Sequence, residues 1–239
     1  MDAERFERQK NFILEIDKEK NILRQTHLSG GGRRENDAEH AWHMAVMAYL
    51  LREYANEPLD LSRTMMMILI HDVVEIDAGD TYAYDEAGKA TQREREEAAA
   101  DRIFGLLPED QQKELRELFE EFEAYETPEA RFAHTMDNFQ PVLLNDSNGG
   151  GDWREHGVYR SQIEKRNEKT GTGSREIWEY MQKIIARNVQ LGNLKGEPAG
   201  EESDSYGGKG RRGAVQPGSG ADQADPSGAF CPGRVPGFF

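Results

Sequence analysis

The fold is decided by the stretch Ile70-His71-Asp72-Val73-Val74-Glu75-Ile76-Asp77-Ala78-Gly79-Asp80. It follows an apolar run over residues 65–70, which predicts the buried part of a helix. Burial of an imidazole and a carboxylate is costly unless a partner compensates them. A shared metal ion would compensate His71 and Asp72.

Residues three or four apart on a helix share a face, so Glu75 lies on the same side as His71 and Asp72. An imidazole and two carboxylates therefore converge on one side of one helix. A solvated helix end with a single histidine is the simpler interpretation of these residues alone. The metal hypothesis needs further ligands from elsewhere in the chain.

The composition describes an acidic chain with enough apolar residues for a sizeable core. Its 239 residues, of which 36% are hydrophobic, allow one large or two small domains. The formal net charge of -15 argues against a general nucleic-acid-binding protein, which normally presents a basic face to phosphates. An anionic substrate would need local positive charge or a metal ion to offset this field.

Cysteine usage and hydropathy predict a cytoplasmic protein. Cys231 is the single cysteine, which excludes an internal disulfide and a cysteine-rich zinc site. No stretch approaches about 18 uninterrupted apolar residues. Because residues 1–20 are charged throughout, neither a membrane span nor a signal peptide is expected.

Helical periodicity runs through most of the chain and predicts an all-α fold, a bundle of about eight helices. Asn36 and Glu39 form a capping-box start for the helix that carries His40. Pro141 is expected to kink a later helix. No segment alternates for long enough to predict a strand. The predicted helices cover roughly residues 3–26, 36–51, 62–77, 90–107, 109–125, 128–145, 153–169 and 174–190.

Two loops and a tail complete the predicted organisation. The glycine-rich residues 28–34 lack the Lys-Ser/Thr pair of a P-loop and are interpreted as a connection with a basic end. The polar loop 81–88 follows the acidic cluster directly and is expected to form the mouth of a site. Residues 196–239 contain 11 Gly and 5 Pro and cannot bury enough apolar area to order themselves. We therefore predict one domain over residues 1–195 and a disordered tail over residues 196–239.

Four candidate metal ligands fall on three separate core helices: His40, the adjacent pair His71 and Asp72, and Asp137. Two imidazoles and two carboxylates suit a borderline divalent ion with positions left open for water and substrate. The order H…HD…D resembles the HD-domain superfamily of metal-dependent phosphohydrolases. The strings E-N-D-A-E-H-A-W-H at residues 35–43 and H-D-V-V-E-I-D-A-G-D-T at residues 71–81 resemble its 5'-deoxynucleotidase-like branch. The similarity covers roughly residues 5–195.

The resemblance implies a role for each matching residue. Glu75 matches the acid that positions or activates the attacking water, and Asp80 matches a second acid near the substrate. Arg24 matches an arginine that contacts phosphate, although the alignment across the glycine turn also allows Arg33 or Arg34. The implied metal ligands are His40, His71, Asp72 and Asp137.

The resemblance also implies a divalent metal ion (Mn, Co, Zn, Fe or Mg), a small-molecule nucleotide substrate and a homodimer. The expected reaction hydrolyses deoxynucleoside 5'-monophosphates to deoxynucleoside and phosphate. One departure is Asn138, because similar proteins often have a basic residue directly after the last ligand. His43 is expected to be structural or to support the ligands from behind, and His134 is expected to lie at the surface or to support the ligands in the same way.

Two alternatives to this function stay open at this point. The first alternative is a related HD hydrolase that acts on another phosphorylated small molecule, such as a nucleoside triphosphate or a signalling nucleotide. The chain would instead be a regulatory module if the HD domain bound a metal ion without catalysis. The presence of all four ligands and Glu75 favours an enzyme.

Overall fold

Helices dominate the computed structural model, which describes residues 2–80 and 86–196. The all-α prediction is therefore confirmed. Short 3-10 turns cover Asp17–Asn21, Arg52–Tyr54 and His71–Val74. The helices are α1 Ala3–Ile16, α2 Asp37–Leu51, α3 Leu61–Ile70, α4 Glu75–Ala78, α5 Glu86–Phe104, α6 Glu109–Ala124, α7 Pro128–Ser147, α8 Gly151–His156, α9 Arg160–Arg166, α10 Thr170–Gly173 and α11 Arg175–Gln190.

A small antiparallel sheet joins α1 to α2, which corrects two expectations. The first helix ends at Ile16 rather than near Thr26, and β1 Leu23–His27 pairs with β2 Arg34–Asn36. The turn between the strands contains Gly31 and Gly32 at φ +72° and +89°, a backbone region that favours glycine. Two short, half-buried strands lack the extended alternation that reveals a strand in a sequence.

The helix expected over residues 62–77 is interrupted at the predicted site. Helix α3 ends at Ile70, a 3-10 turn covers His71–Val74, and α4 begins at Glu75. His71 Nδ1 donates to the carbonyl of Ile68 at 2.7 Å, so the side chain bonds a carbonyl of the preceding turn. Gly79 ends α4 at φ +75°, as expected.

The core is built around α7, against which α2, α3, α6, α10 and α11 pack. Thr127 caps this helix by accepting from Ala130 N at 3.2 Å, and Pro128 occupies its first turn. Phe132 and Met136 are fully buried on it. Helix α7 therefore carries Asp137 into the centre of the molecule, beside the ligand-bearing parts of α2 and the turn after α3.

In place of the one helix expected over residues 153–169, the structure has two short helices, α8 and α9, and α10 follows them. Gly157 lies between α8 and α9 at φ +61°, which stops the first helix. Helix α10 packs closely on α7 at Gly173, where an added Cβ would lie 2.2 Å from Arg131 O. This close approach holds α10 against α7 and so positions the preceding helix α9, which forms one wall of the site described below.

Several predictions lie outside the described residues. The mouth loop falls largely on residues 81–85, and the tail, with Cys231, on residues 197–239. The domain boundary near residue 195 therefore stays a prediction. Within residues 2–80 and 86–196, no helix combines the length and apolar character that a bilayer crossing requires.

Candidate metal centre

His40 is fully buried near the start of α2, and its hydrogen bonds fix which ring nitrogen is protonated. Gln140 Nε2 donates to Glu35 Oε2 at 2.8 Å, so Gln140 Oε1 is left to accept from His40 Nδ1 at 3.0 Å. His40 Nε2 therefore presents a lone pair 3.2 Å from Asp137 Oδ1. Two acceptor atoms this close need a proton or a metal ion between them.

His71 repeats this arrangement in the 3-10 turn. Its Nδ1 donates to Ile68 O, and its buried Nε2 has no hydrogen-bond partner among the described residues. That Nε2 lies 3.1 Å from Asp72 Oδ2. Burial lowers the pKa of His71, but the charges of Asp72 and Asp137 outweigh it and raise the pKa to about 9. A metal ion binding here would take the place of the proton.

Donor atoms of His40, His71 and Asp72 all lie within 4.8 Å of one another. Asp137 stands beside this group through its 3.2 Å contact with His40. Burial raises the pKa of Asp137, but the hydrogen bond with His40 and the charge of Arg166 hold it below its usual value. Two imidazole nitrogens with free lone pairs and two ionised carboxylates fit a divalent metal ion.

Arg24 supports the centre from strand β1. Its Nη1 donates to Asp72 Oδ2 at 2.6 Å and to Asp37 Oδ1 at 3.2 Å. Asp37 is fully buried as the first residue of α2. Burial opposes ionisation of Asp72, but His71 and Arg24 hold the pKa of its carboxyl below the usual value. The sheet that sequence analysis missed is thus what delivers this guanidinium.

Glu75 and Asp80, the predicted catalytic acids, face the same pocket as three of the candidate ligands. Glu75 is 7% exposed, and its Oε2 has no partner among the described residues. Burial raises the pKa of Glu75, and the charges of Asp72 and Asp37 raise it further. Burial also raises the pKa of Asp80, with Arg24 opposing the shift.

The pocket has a volume of about 250 Å³. His71, Asp72, Asp137 and Arg24 line it, whereas the fully buried His40 is not among the lining residues. His134 also lines it, stacked between Phe122 and Tyr125 at 3.9 and 4.2 Å between ring centroids. The lining also includes residues of α7, of α8 and of the C-terminal end of α9: Asn138, Asn145, Asp152, Trp153, Arg166 and Asn167.

Arg33 lies outside the lining of this pocket, and its contact with substrate stays a prediction. Its guanidinium donates to both carboxylate oxygens of Glu39, at 2.8 and 2.5 Å, outside the lining residues. Arg34 lies 3.8 Å from Glu155 and is also outside the lining. Of the three arginines considered from the sequence, Arg24 alone lines the pocket.

Sequence analysis missed Gln140 and Arg166. Gln140 lies three residues after Asp137, and residues at this spacing share a face of a helix. Helical periodicity counted from Asp137 could therefore have indicated Gln140. Arg166 lies far from every recognised motif and gave none. The expectation for His43 is consistent with the structure, since its Nδ1 lies 3.2 Å from Gln140 Nε2, behind His40.

Comparison with protein families identifies the family of this chain. A family model for the HD domain matches residues 16–178. The chain belongs to the HD domain family. The residues of its H…HD…D order, His40, His71, Asp72 and Asp137, lie close together in the structure.

Curated relatives of this HD domain protein match about half of its length. It is 37% identical over 111 residues to human 5'-deoxynucleotidase HDDC2, covering 46% of this chain and 53% of the human protein. It is 38% identical over 109 residues to the mouse protein of the same name, with the same two coverages. The chain thus spans about half the length of the curated relatives it matches.

Solved structures extend the similarity over most of the HD domain chain. A protein from Magnetospirillum magnetotacticum, described as a predicted metal-dependent phosphohydrolase, is 49% identical and superposes with a TM-score of 0.76. The match covers 80% of this chain and 95% of that one. A conserved hypothetical protein from Pyrococcus furiosus shares 22% identity at a TM-score of 0.51, over 76% and 99% of the two chains, and supports the fold alone.

Proposed function

We propose that this HD domain protein is a divalent-metal-dependent phosphohydrolase that releases phosphate from deoxynucleoside 5'-monophosphates. The observation that carries the proposal is the cluster of His40, His71 and Asp72 donor atoms within 4.8 Å, opening on a pocket that Arg24 also lines. The names of the curated relatives and of the solved neighbour support the same reaction class.

The proposed metal ligands are His40, His71, Asp72 and Asp137. When bound, a divalent ion supplies positive charge that neutralises phosphate oxygens and lowers the pKa of water. Both imidazoles direct Nε2 towards the centre because their Nδ1 atoms donate to Gln140 and Ile68. Such outer hydrogen bonds orient ligating histidines and fix their tautomers.

Glu75 is the proposed general base. Its unpartnered Oε2 accepts a proton from the attacking water, and its raised pKa brings the carboxylate closer to the pH at which a general base works best. The leaving 5'-oxygen then needs a proton, which Glu75 or Asp80 returns.

Arg24 is the proposed phosphate contact on the Asp72 side. Its Nη1 is committed to Asp37 and Asp72, and no described residue accepts from Nη2. The buried ion pairs hold the guanidinium in one orientation, so little side-chain entropy is lost when an oxyanion binds.

Phosphate release from a panel of nucleotides tests this function. Chelated protein reloaded with Mn, Co, Zn or Mg is expected to hydrolyse deoxynucleoside 5'-monophosphates faster than the matched ribonucleotides or triphosphates. Glu75→Gln should lower the rate by roughly 100-fold or more while metal content is unchanged. Absence of phosphate release from every deoxynucleoside monophosphate, with metal bound, would contradict the proposal.

We also propose that the protein is a homodimer. Helix α2 exposes an apolar stripe of Trp42, Val46, Tyr49 and Leu50, and exposed apolar patches commonly mark protein contacts. Light scattering of the full chain should give twice the monomer mass, and a monomer at micromolar concentration would contradict this. The cytoplasmic location expected from the sequence stays a prediction.

A further inference from the structure

Arg166 is the cation nearest to Asp137 on the pocket wall formed by α9. Its Nη2 lies 3.7 Å from Asp137 Oδ2, and its side chain is 32% exposed. It lines the same pocket as Arg24, Glu75 and Asp80. Arg166 therefore stands at the boundary between the proposed metal centre and the space open to a ligand.

The guanidinium N–H groups of Arg166 donate no hydrogen bond within residues 2–80 and 86–196. Arginine and carboxylate side chains prefer a two-pronged arrangement with N–H···O distances below about 3 Å. Arg5 shows this arrangement with Asp110, at 2.7 and 2.8 Å. Arg166 makes no hydrogen bond with any described residue, and its 3.7 Å contact with Asp137 is too long for one. Its N–H groups are thus available to a ligand.

The segment around Arg166 is anchored to α7, next to the candidate ligand Asp137. Asn138 Nδ2 donates to Thr170 Oγ1 at 3.1 Å, and Thr135 Oγ1 donates to Thr170 O at 3.1 Å. Asn138 thus holds the segment after α9, and α9 carries the basic side chain of Arg166 on the Asp137 side.

The charge of the pocket calls for this second cation. Seven acidic residues line it: Asp72, Glu75, Asp80, Glu96, Glu123, Asp137 and Asp152. Arg24 is already paired with Asp72 and Asp37, which offset most of its charge. A phosphate monoester carries up to two negative charges near neutral pH. The carboxylates of the pocket already offset the charge of Arg24 and of one divalent ion, so the phosphate oxygens need further positive charge.

We propose that Arg166 binds a non-bridging oxygen of the terminal phosphate group on the Asp137 side of the pocket, while Arg24 binds on the Asp72 side. The inference rests on the proposed function, since it assigns a phosphate to that pocket. It makes α9 a part of the substrate site.

Binding of inorganic phosphate to the Mn-loaded full-length protein tests the assignment without turnover. Calorimetric titration should show that Arg166→Ala weakens phosphate binding by roughly 10- to 100-fold, as expected for a charge-assisted hydrogen bond. The phosphate affinity of Arg166→Lys should lie between those of wild type and Arg166→Ala, because lysine keeps the charge but lacks the planar guanidinium with its paired N–H donors. Lys165→Ala, which removes the same charge from an exposed neighbour on α9, should bind within about twofold of wild type.

Manganese content distinguishes a phosphate contact from a residue that only positions Asp137. All variants should retain wild-type manganese. The assignment is overturned if wild type binds no phosphate, if Arg166→Ala binds it as tightly as Lys165→Ala, or if Arg166→Ala loses manganese in proportion to phosphate. Failure of the proposed hydrolysis would appear separately, as absent phosphate release with this difference in binding intact.

Discussion

Two charge clusters in this protein are built from the same residue types but differ in burial. On the surface, Arg116 pairs with Asp101, Glu97 and Glu120 at 2.7 to 2.9 Å, and the Asp101 side chain is 78% exposed. At the centre, Arg24 pairs with Asp72 at 2.6 Å and with the fully buried Asp37. Water solvates the first cluster and is largely excluded from the second.

The two clusters also differ in how many of their buried polar atoms lack a hydrogen-bond partner. The central cluster contains buried atoms without hydrogen-bond partners among the described residues: Glu19 Oε1, Asp37 Oδ2, His71 Nε2 and Glu75 Oε2. An unpartnered buried polar group costs stability, so such groups are concentrated where function requires them. The central cluster is thus organised for a metal ion and substrate rather than for stability.

The largest expected effect follows from removing a charged ligand at the centre. Asp72→Asn should lower phosphate release by about a thousandfold, because a catalytic metal ion supplies several kcal/mol, and about 4 kcal/mol corresponds to that factor. Kinetics and elemental analysis of the purified variant check this. The surface substitution Asp101→Asn should leave both values at wild type. Equal losses in the two variants would erase the distinction between the clusters.

Glu19 tests the cost of burial. It is 6% exposed, and burial, with the charges of Asp72 and Asp37, raises its pKa to about 7. Between pH 4.5 and 7 the folded chain holds a proton that the unfolded chain releases, so this group lowers stability as pH rises through that window. In chelated protein, Glu19→Gln should be more stable than wild type by about 2 to 3 kcal/mol at pH 8.

The same comparison at pH 4.5 is the control for Glu19. There the wild-type carboxyl is neutral in the folded protein, so denaturant unfolding should give nearly equal stabilities for the two proteins. A difference that does not change with pH would show that Glu19→Gln acts through packing and not through charge.

Gln140 tests how the centre orients its histidines. Gln140→Leu removes the acceptor for His40 Nδ1, so manganese affinity should fall by roughly 10- to 100-fold. Titration of the chelated variant with manganese measures this. The matched control is Gln9→Leu, which removes a hydrogen bond between Gln9 on α1 and Gln111 on α6. This variant should bind manganese with wild-type affinity. Unchanged affinity in Gln140→Leu would show that His40 needs no such support.

The smallest effect is expected at the surface cluster. Arg116→Ala breaks three ion pairs that water screens, so unfolding free energy should change by less than about 1 kcal/mol. Urea denaturation at low and high salt checks this. A decrease of several kcal/mol in the unfolding free energy of Arg116→Ala would contradict the expected difference between the surface cluster and the central cluster.

The parts of the site that depend on local sequence were predictable. The capping box at Asn36 and Glu39 predicts where α2 begins, and hence that His40 lies near its buried start. Gly79 likewise predicts the end of α4. The motif strings assigned the candidate ligands and Glu75, and the structure places His71, Asp72, Asp137 and Glu75 on one pocket, with the buried His40 beside them.

The remaining parts depend on contacts between distant segments. The hydrogen bond of Gln140 with His40 joins residues 100 apart, and neither position predicts the other. The break after Ile70 reflects the bond of His71 to the Ile68 carbonyl, which competes with regular helix. Arg166 reaches the pocket because Gly157 and the packing of α10 on α7 redirect the chain, which helical periodicity does not reveal.

The most direct test is anomalous diffraction from a crystal of the manganese-loaded protein. The account predicts one manganese peak within about 2.0 to 2.2 Å of His40 Nε2, His71 Nε2 and the carboxylates of Asp72 and Asp137. Absence of a peak at this centre, or a manganese ion bound with Asp137 out of coordination range, would contradict it.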